Sequence, residues 1–246
     1  MNLIGLIVII LSAISLIGLS LLKDRVKPSF RDIPAFTKLN KAIGSAVEDG
    51  TRLHFSLGNS DLVTPRSAAS FAAISVLRRV SEMTSASDKP PIATSGDAAL
   101  AILSQDILRT AYQIAGREQQ YRVTSGRLAG LTPFSYAAGA FAPITDEDVS
   151  ANILAGGFGV EVGLLTDTAE RENSFTLAAA DSLPAQAVLY ASAQEPLIGE
   201  EFYAMGAYTQ TGRAHSVSLL IQDILRWLIV LAILIGAAGK LLAGVL

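Results

Sequence analysis

Both ends of the chain are apolar over about the length of a membrane-crossing helix, and this limits what the middle can be. Asn2 to Leu22, "NLIGLIVIILSAISLIGLSLL", carries no charge. About twenty such residues cross roughly 30 Å of hydrocarbon as a helix. Trp227 to Leu246, "WLIVLAILIGAAGKLLAGVL", repeats the pattern with one charge, Lys240, placed where its long side chain can reach the far interface. Trp227 suits an anchor at the near side. The first stretch lacks the basic start, short apolar run and small-residue cleavage site of a signal peptide, so a permanent anchor is expected. Neither stretch holds a polar path, which argues against transport by a single copy.

Orientation follows from the basic residues. Lys23, Arg25, Lys27 and Arg31 follow the first span, and Arg226 precedes the second. The positive-inside rule places residues 23–226 in the cytoplasm and both termini outside. The expectation is a two-pass protein of the cell inner membrane. It has a transmembrane helix at 1–22, a linker at 23–33, an α/β domain at 34–214, a juxtamembrane helix at 215–226 and a transmembrane helix at 227–246.

Residues 23–226 hold 18 of the 19 basic residues and all 22 acidic ones, so this middle region is mildly acidic. It has no basic stripe to neutralise phosphates, and nucleic acid is not an expected partner. The chain has no cysteine, which suits a protein that needs no disulfides.

Strand and helix signals alternate along this region. A helix is expected from Pro34 to Glu48, stopped by Gly50. "RLHFSLG" (52–58) alternates Leu53, Phe55 and Leu57 with Arg52, His54 and Ser56, a strand period. Thr64 followed by Pro65 marks a helix start. Further strands are expected at 91–95, 134–141, 149–157 and 174–180, and further helices after Asp97, after Phe158 and after Leu183. Five strands, apolar enough to be buried on both faces, predict an α/β fold with a largely parallel sheet flanked by helices. The third and fourth strands, with no helix between them, suggest an antiparallel hairpin.

Four blocks, "PPIATSGDAALAILSQDILR", "LTPFSYAAGA", "LAAADSLPAQAVLYASAQEPLIGEE" and "QDILRWLIV", resemble a family of bacterial membrane proteins known only as a domain of unknown function. The resemblance spans roughly residues 50 to 235. It implies a membrane-bound domain and brings no activity, catalytic residue or cofactor.

In open α/β sheets, ligands sit beyond the carboxyl ends of the strands. "SLGNSD" (56–61), "TSGD" (94–97), "AGGFG" (155–159) and "AADS" (179–182) are small polar strand ends that would line up along one edge. The candidate ligand contacts are Thr94, Ser95, Gly96, Asp97, Asp181 and Ser182. The same residue types also serve strand-to-helix turns, and Asp97 or Asp181 would make a good helix cap. Gly156, Gly157, Phe158 and Gly159 lack the Lys-Ser/Thr of a phosphate-binding P-loop and the full G-x-G-x-x-G pattern, so a tight turn is expected. The Asp146-Glu147-Asp148 run lacks the spacing of a calcium loop and reads as a solvated turn. With two histidines well apart in the sequence and no nucleophile elbow, no catalytic residue, metal or cofactor is expected. The expected role is a membrane-anchored structural or assembly protein whose α/β domain self-associates or docks on a larger membrane complex. The alternative is a small-molecule or enzymatic site at the strand carboxyl edge.

Overall fold

The computed structural model describes residues 30–64 and 67–245, with 6, 10, 12–14, 17 and 18 as isolated positions. Apart from those positions, the first expected span (1–22) lies outside the described residues. So do Lys23, Arg25, Lys27 and Pro65. The chain forms two units, residues 32–211 and residues 1–31 with 212–246.

Residues 32–211 alternate helix and strand: α1 (Pro34–Asp49), β1 (Arg52–Gly58), α2 (Ser67–Thr84), β2 (Ile92–Ser95), α3 (Ala98–Ile114), β3 (Gly126–Leu128), α4 (Pro133–Asp146), β4 (Val149–Gly157), α5 (Val162–Arg171), β5 (Phe175–Ala180), α6 (Leu183–Ser192), β6 (Glu195–Leu197) and α7 (Glu201–Tyr208). The strands form one six-stranded sheet in the order β3-β2-β1-β4-β5-β6. Every pairing is parallel. This is the order of the doubly wound α/β fold, in which successive crossovers run outward from the centre and then reverse.

The period of two in each strand decides what the faces hold. Leu53, Phe55 and Leu57 of β1, with Ala151 and Ile153 of β4, pack on one face with Phe36 of α1, Leu77 of α2 and Phe202 of α7. Leu154 of β4, with Ala178 and Ala180 of β5, packs on the other face with Tyr136 of α4, Leu165 of α5 and Leu189 of α6. Removing a buried leucine from either face should cost about 2–5 kcal/mol. Because helices cover both faces, the polar phase of β1 is buried too: His54 and Ser56 are fully enclosed.

Three expectations change. Residues 134–141 form helix α4, because Thr132 and Ser135 make a reciprocal capping box and Pro133 stands in the first turn. Tyr136, Ala140 and Ile144 then recur every fourth residue and are buried, a helical period. With α4 as a crossover, there is no antiparallel hairpin, and the sheet has six parallel strands. The two extra strands, β3 and β6, are three residues each and lie at the sheet edges. Pro196 sits in edge strand β6, where a missing N–H is tolerated.

In the second unit, Arg213–Val245 is one continuous 33-residue helix, α8, about 50 Å long at 1.5 Å per residue. The expected juxtamembrane helix and second span are thus a single element. Among the described residues, its Arg213–Leu241 portion is the one helix long and apolar enough to cross a membrane.

Candidate functional site

Strands β1 and β4 are neighbours at the centre of the sheet, but their connections leave over opposite faces. A crevice of about 520 Å³ opens beyond their carboxyl ends. Asn59, Ser60, Asp61 and Thr64 of the loop after β1 form one wall, and Gly157, Phe158, Gly159 and Glu161 after β4 form another. The starts of α4 and α6 complete it through Pro133, Ser182 and Pro184. "SLGNSD" and "AGGFG" thus meet at the switch point of the sheet.

Local chemistry explains why the two loops close on each other. Gly58 has φ +71°, and a Cβ there would lie 2.3 Å from the Gly157 carbonyl oxygen. Only glycine combines that backbone with that approach. The Asn59 N–H donates to the Gly157 carbonyl at 2.7 Å, and the Gly157 N–H donates to Ser60 Oγ at 3.2 Å. The glycines of this junction serve contact between loops.

The crevice is anionic. Asp61 Oδ1 accepts from the N–H groups of Val63 (3.2 Å) and Thr64 (2.8 Å). Hydrogen bonds from the backbone and side chain of Thr64 hold its carboxyl below the usual aspartate range. Glu161, 3% exposed, begins α5 and accepts the Gly159 N–H at 2.7 Å. A helix start with free N–H groups is where such folds seat phosphate. Here the chain's own carboxylates take N–H groups of both loops, and no Lys, Arg or His lines the crevice among the described residues. Among the described lining residues, a phosphate would meet two carboxylates.

Beneath the crevice lies a buried polar chain. His54 Nδ1 bonds Asn152 Oδ1 at 2.9 Å, and its Nε2 bonds Thr94 Oγ1 at 2.8 Å. Thr94 Oγ1 lies 3.2 Å from the Tyr136 hydroxyl, which also meets Ser56 Oγ at 2.5 Å and accepts from the Gly58 N–H at 3.2 Å. Burial lowers the His54 pKa to about 4, so the ring is neutral at pH 7. Burial also pushes the Tyr136 phenol above its ordinary value. The chain runs from mid-sheet to the loop junction, and Phe158, whose ring centre is 6.3 Å from that of Tyr136, stands between it and the crevice. With both ring nitrogens of His54 engaged and Tyr136 holding the Gly58 backbone, the arrangement fixes the junction in place.

Exposed apolar side chains neighbour the crevice-lining residues. Val63, Phe134, Val160 and Leu183 adjoin the lining residues Thr64, Pro133, Gly159 and Ser182 in sequence. Leu131 is tied in by its carbonyl, which accepts from Asn59 Nδ2 at 3.3 Å. Exposure of the five runs from 56% at Val160 to 94% at Val63. The crevice lining mixes polar and apolar groups, and exposed apolar side chains stand next to it along the chain.

The six residues singled out from the sequence take different places. Thr94 is fully buried in the polar chain. Ser95 Oγ donates to the Asp97 carbonyl and accepts the Asp97 N–H, closing its own turn. Gly96 donates its N–H to the Gly58 carbonyl at 2.8 Å. Asp97 caps α3, accepting from the Leu100 N–H at 2.9 Å. Asp181 is not the cap of α6. Ser182 is, accepting from the Ala185 N–H while donating to the Phe158 carbonyl at 2.6 Å. Of the six, Ser182 alone lines the crevice. Among the described residues, Asp181 Oδ1 is a buried oxygen without a hydrogen-bond partner. Its charge, after burial, helps raise the Tyr203 phenol.

Sequence reasoning passed over Glu161, Tyr136 and the pairing of His54 with Asn152. A signal for the pairing was present. His54, Ser56, Thr94 and Asn152 share one strand phase, and a sheet covered on both faces must pair such residues internally.

No curated protein and no solved structure matches the chain. A family model matches residues 1–245, nearly the whole length. The chain belongs to the family described as Domain of unknown function (DUF6754).

Proposed function

We propose that this is a membrane-anchored docking protein, whose α/β domain engages a partner in a larger membrane complex through the carboxyl edge of its sheet. The observation that carries the reading is the group of exposed apolar side chains, Val63, Leu131, Phe134, Val160 and Leu183, that neighbour the crevice-lining residues. Large apolar side chains scattered singly over a surface need no explanation, but several gathered beside one crevice mark an interaction face. Burying each would contribute about 1.5–3 kcal/mol. Helix α8, through Arg213–Leu241, supplies the anchor, and the basic residues at 23–31 and 226 favour a cytoplasmic domain in a two-pass chain. Held close to the bilayer, such a domain meets neighbouring membrane proteins at high effective concentration.

The crevice volume favours a second reading, a small-molecule site, since it falls in the range of about 300–1,000 Å³ typical of ligand pockets. That reading leaves these apolar side chains without a role. The two separate on one experiment. The triple variant Val63→Ser, Phe134→Ser, Leu183→Ser removes exposed apolar surface only. The wild-type chain, extracted gently from its membrane, should run on a native gel in a complex larger than one copy. The variant should fall out of that complex with an unchanged circular dichroism spectrum. Equal migration of the two would defeat the docking reading.

A further inference from the structure

We infer that the docking partner presents a lysine or arginine side chain, flanked by apolar residues on an extended or loop segment, and that this cation enters the crevice. The inference rests on the docking reading above and adds the chemistry of recognition to it.

Three observations combine. The crevice contains two carboxylates, Asp61 and Glu161, and no cation among its described lining residues. Loop N–H groups that would attract an anion are already held by those same carboxylates. The pocket is therefore polarised toward positive charge. Among the described residues no three His, Asp or Glu groups gather as a metal site would require. An ammonium or guanidinium can share two carboxylates with the neutral Asn59, Ser60 and Ser182.

The apolar rim decides the source of the cation. A free amine would use the crevice alone and leave Val63, Leu131, Phe134, Val160 and Leu183 in water. A polypeptide segment with an apolar–basic–apolar pattern covers both zones at once, the charge inside and its neighbours on the rim. Such an arrangement puts a desolvated charge pair at the centre of an interface and apolar contacts around it. Hot-spot residues cluster there, and arginine is enriched among them.

The test uses the full chain in nanodiscs. Fluorescein-labelled peptides with two apolar residues on each side of a central position, framed by Gly and Ser, are titrated by anisotropy. The central position is Arg, Lys, norleucine or Glu. The Arg and Lys peptides should bind at least about tenfold tighter than the other two, the preference weakening as salt rises. Asp61→Asn with Glu161→Gln keeps an acceptor oxygen for the Val63, Thr64 and Gly159 N–H groups and should erase that preference. Leu183→Ser should weaken all four peptides. Equal binding of norleucine and arginine peptides, still lost in Leu183→Ser, would overturn the cation while leaving the docking reading intact. Failure of every peptide, with no effect of Leu183→Ser on the native complex, would overturn both. Binding of free propylguanidine as tightly as the arginine peptide would make the crevice a small-molecule site and overturn the peptide partner. A rim-dependent dimer that excludes the peptides would make a second copy the occupant, with the same consequence.

Discussion

At the amino edge of the sheet, acids meet bases. Arg52 at the start of β1 and Arg127 of β3 both reach Glu147, at 3.6 and 2.5 Å, and Lys89 reaches Asp148 at 2.6 Å. Lys38 pairs with Glu195 at the start of β6. At the carboxyl edge, Asp61 and Glu161 rest on backbone N–H groups, with no cation lining their crevice among the described residues. One edge pairs its acids with bases, and the other rests its crevice acids on backbone N–H groups. The Asp146-Glu147-Asp148 run, the densest acidic run in the chain, turns out to be an ion-pair hub. The acids of the site stand singly in the sequence. Local charge density is thus a poor guide to function where topology supplies the counter-charges.

The sharpest way to break this contrast is to open the junction that shapes the crevice. Gly58→Ala places a Cβ 2.3 Å from the Gly157 carbonyl in a left-handed backbone. The strain and overlap together should cost about 3 kcal/mol or more, read as a collapse of the urea midpoint of the detergent-solubilised chain. A loss near 0.5 kcal/mol would mean that the two loops are not held as described.

Next in size is the polar chain below. His54, neutral with a pKa of about 4 when folded, titrates near 6.5 when unfolded. Its folded value is depressed, so the unfolded state takes up the proton first as pH falls. Stability is undiminished by this group above about 6.5 and should decline by on the order of 3 kcal/mol between 6.5 and 4. Unfolding midpoints at pH 7 and 4.5 measure the slope, and His54→Gln should flatten much of it. An equal slope in the variant would contradict this role for His54.

Smaller effects separate caps from contacts. Asp97→Ala and Ser182→Ala each remove a helix cap and should each cost about 1 kcal/mol in urea unfolding. Only Ser182→Ala should also alter peptide binding, since Ser182 lines the crevice and holds the Phe158 carbonyl. Smallest is Lys89→Ala at the amino edge, whose exposed pair with Asp148 should contribute about 1 kcal/mol or less.

Much of the fold was readable because its signals are local. The alternation in Arg52–Gly58, the nine residues from Val149 to Gly157 and the helix that starts at Pro34 all announce themselves within a short window. Edge strands β3 and β6 do not, because three residues hold no period and their pairing is set by the neighbours they reach. Helix α4 was hidden by its aromatic and small residues, which suit a strand equally well, while its decisive signal lay just upstream in Thr132 and Pro133. The site was readable only as an edge. "SLGNSD" and "AGGFG" were recognisable strand ends, but which of four such segments would face each other depends on strand order, and no single segment encodes that. Glu161 gains its meaning from the Gly159 N–H it accepts, a contact fixed by the turn.

The most direct test is photo-crosslinking in native membranes. Benzoylphenylalanine is placed at Leu183 on the carboxyl-edge rim and, separately, at Ile114, equally exposed at the amino-edge end of α3. The account predicts a discrete adduct from position 183 and none from 114, with the adduct lost on adding Asp61→Asn and Glu161→Gln. Equal labelling from both positions, or labelling from 114 alone, would contradict a carboxyl edge that is built to receive a partner.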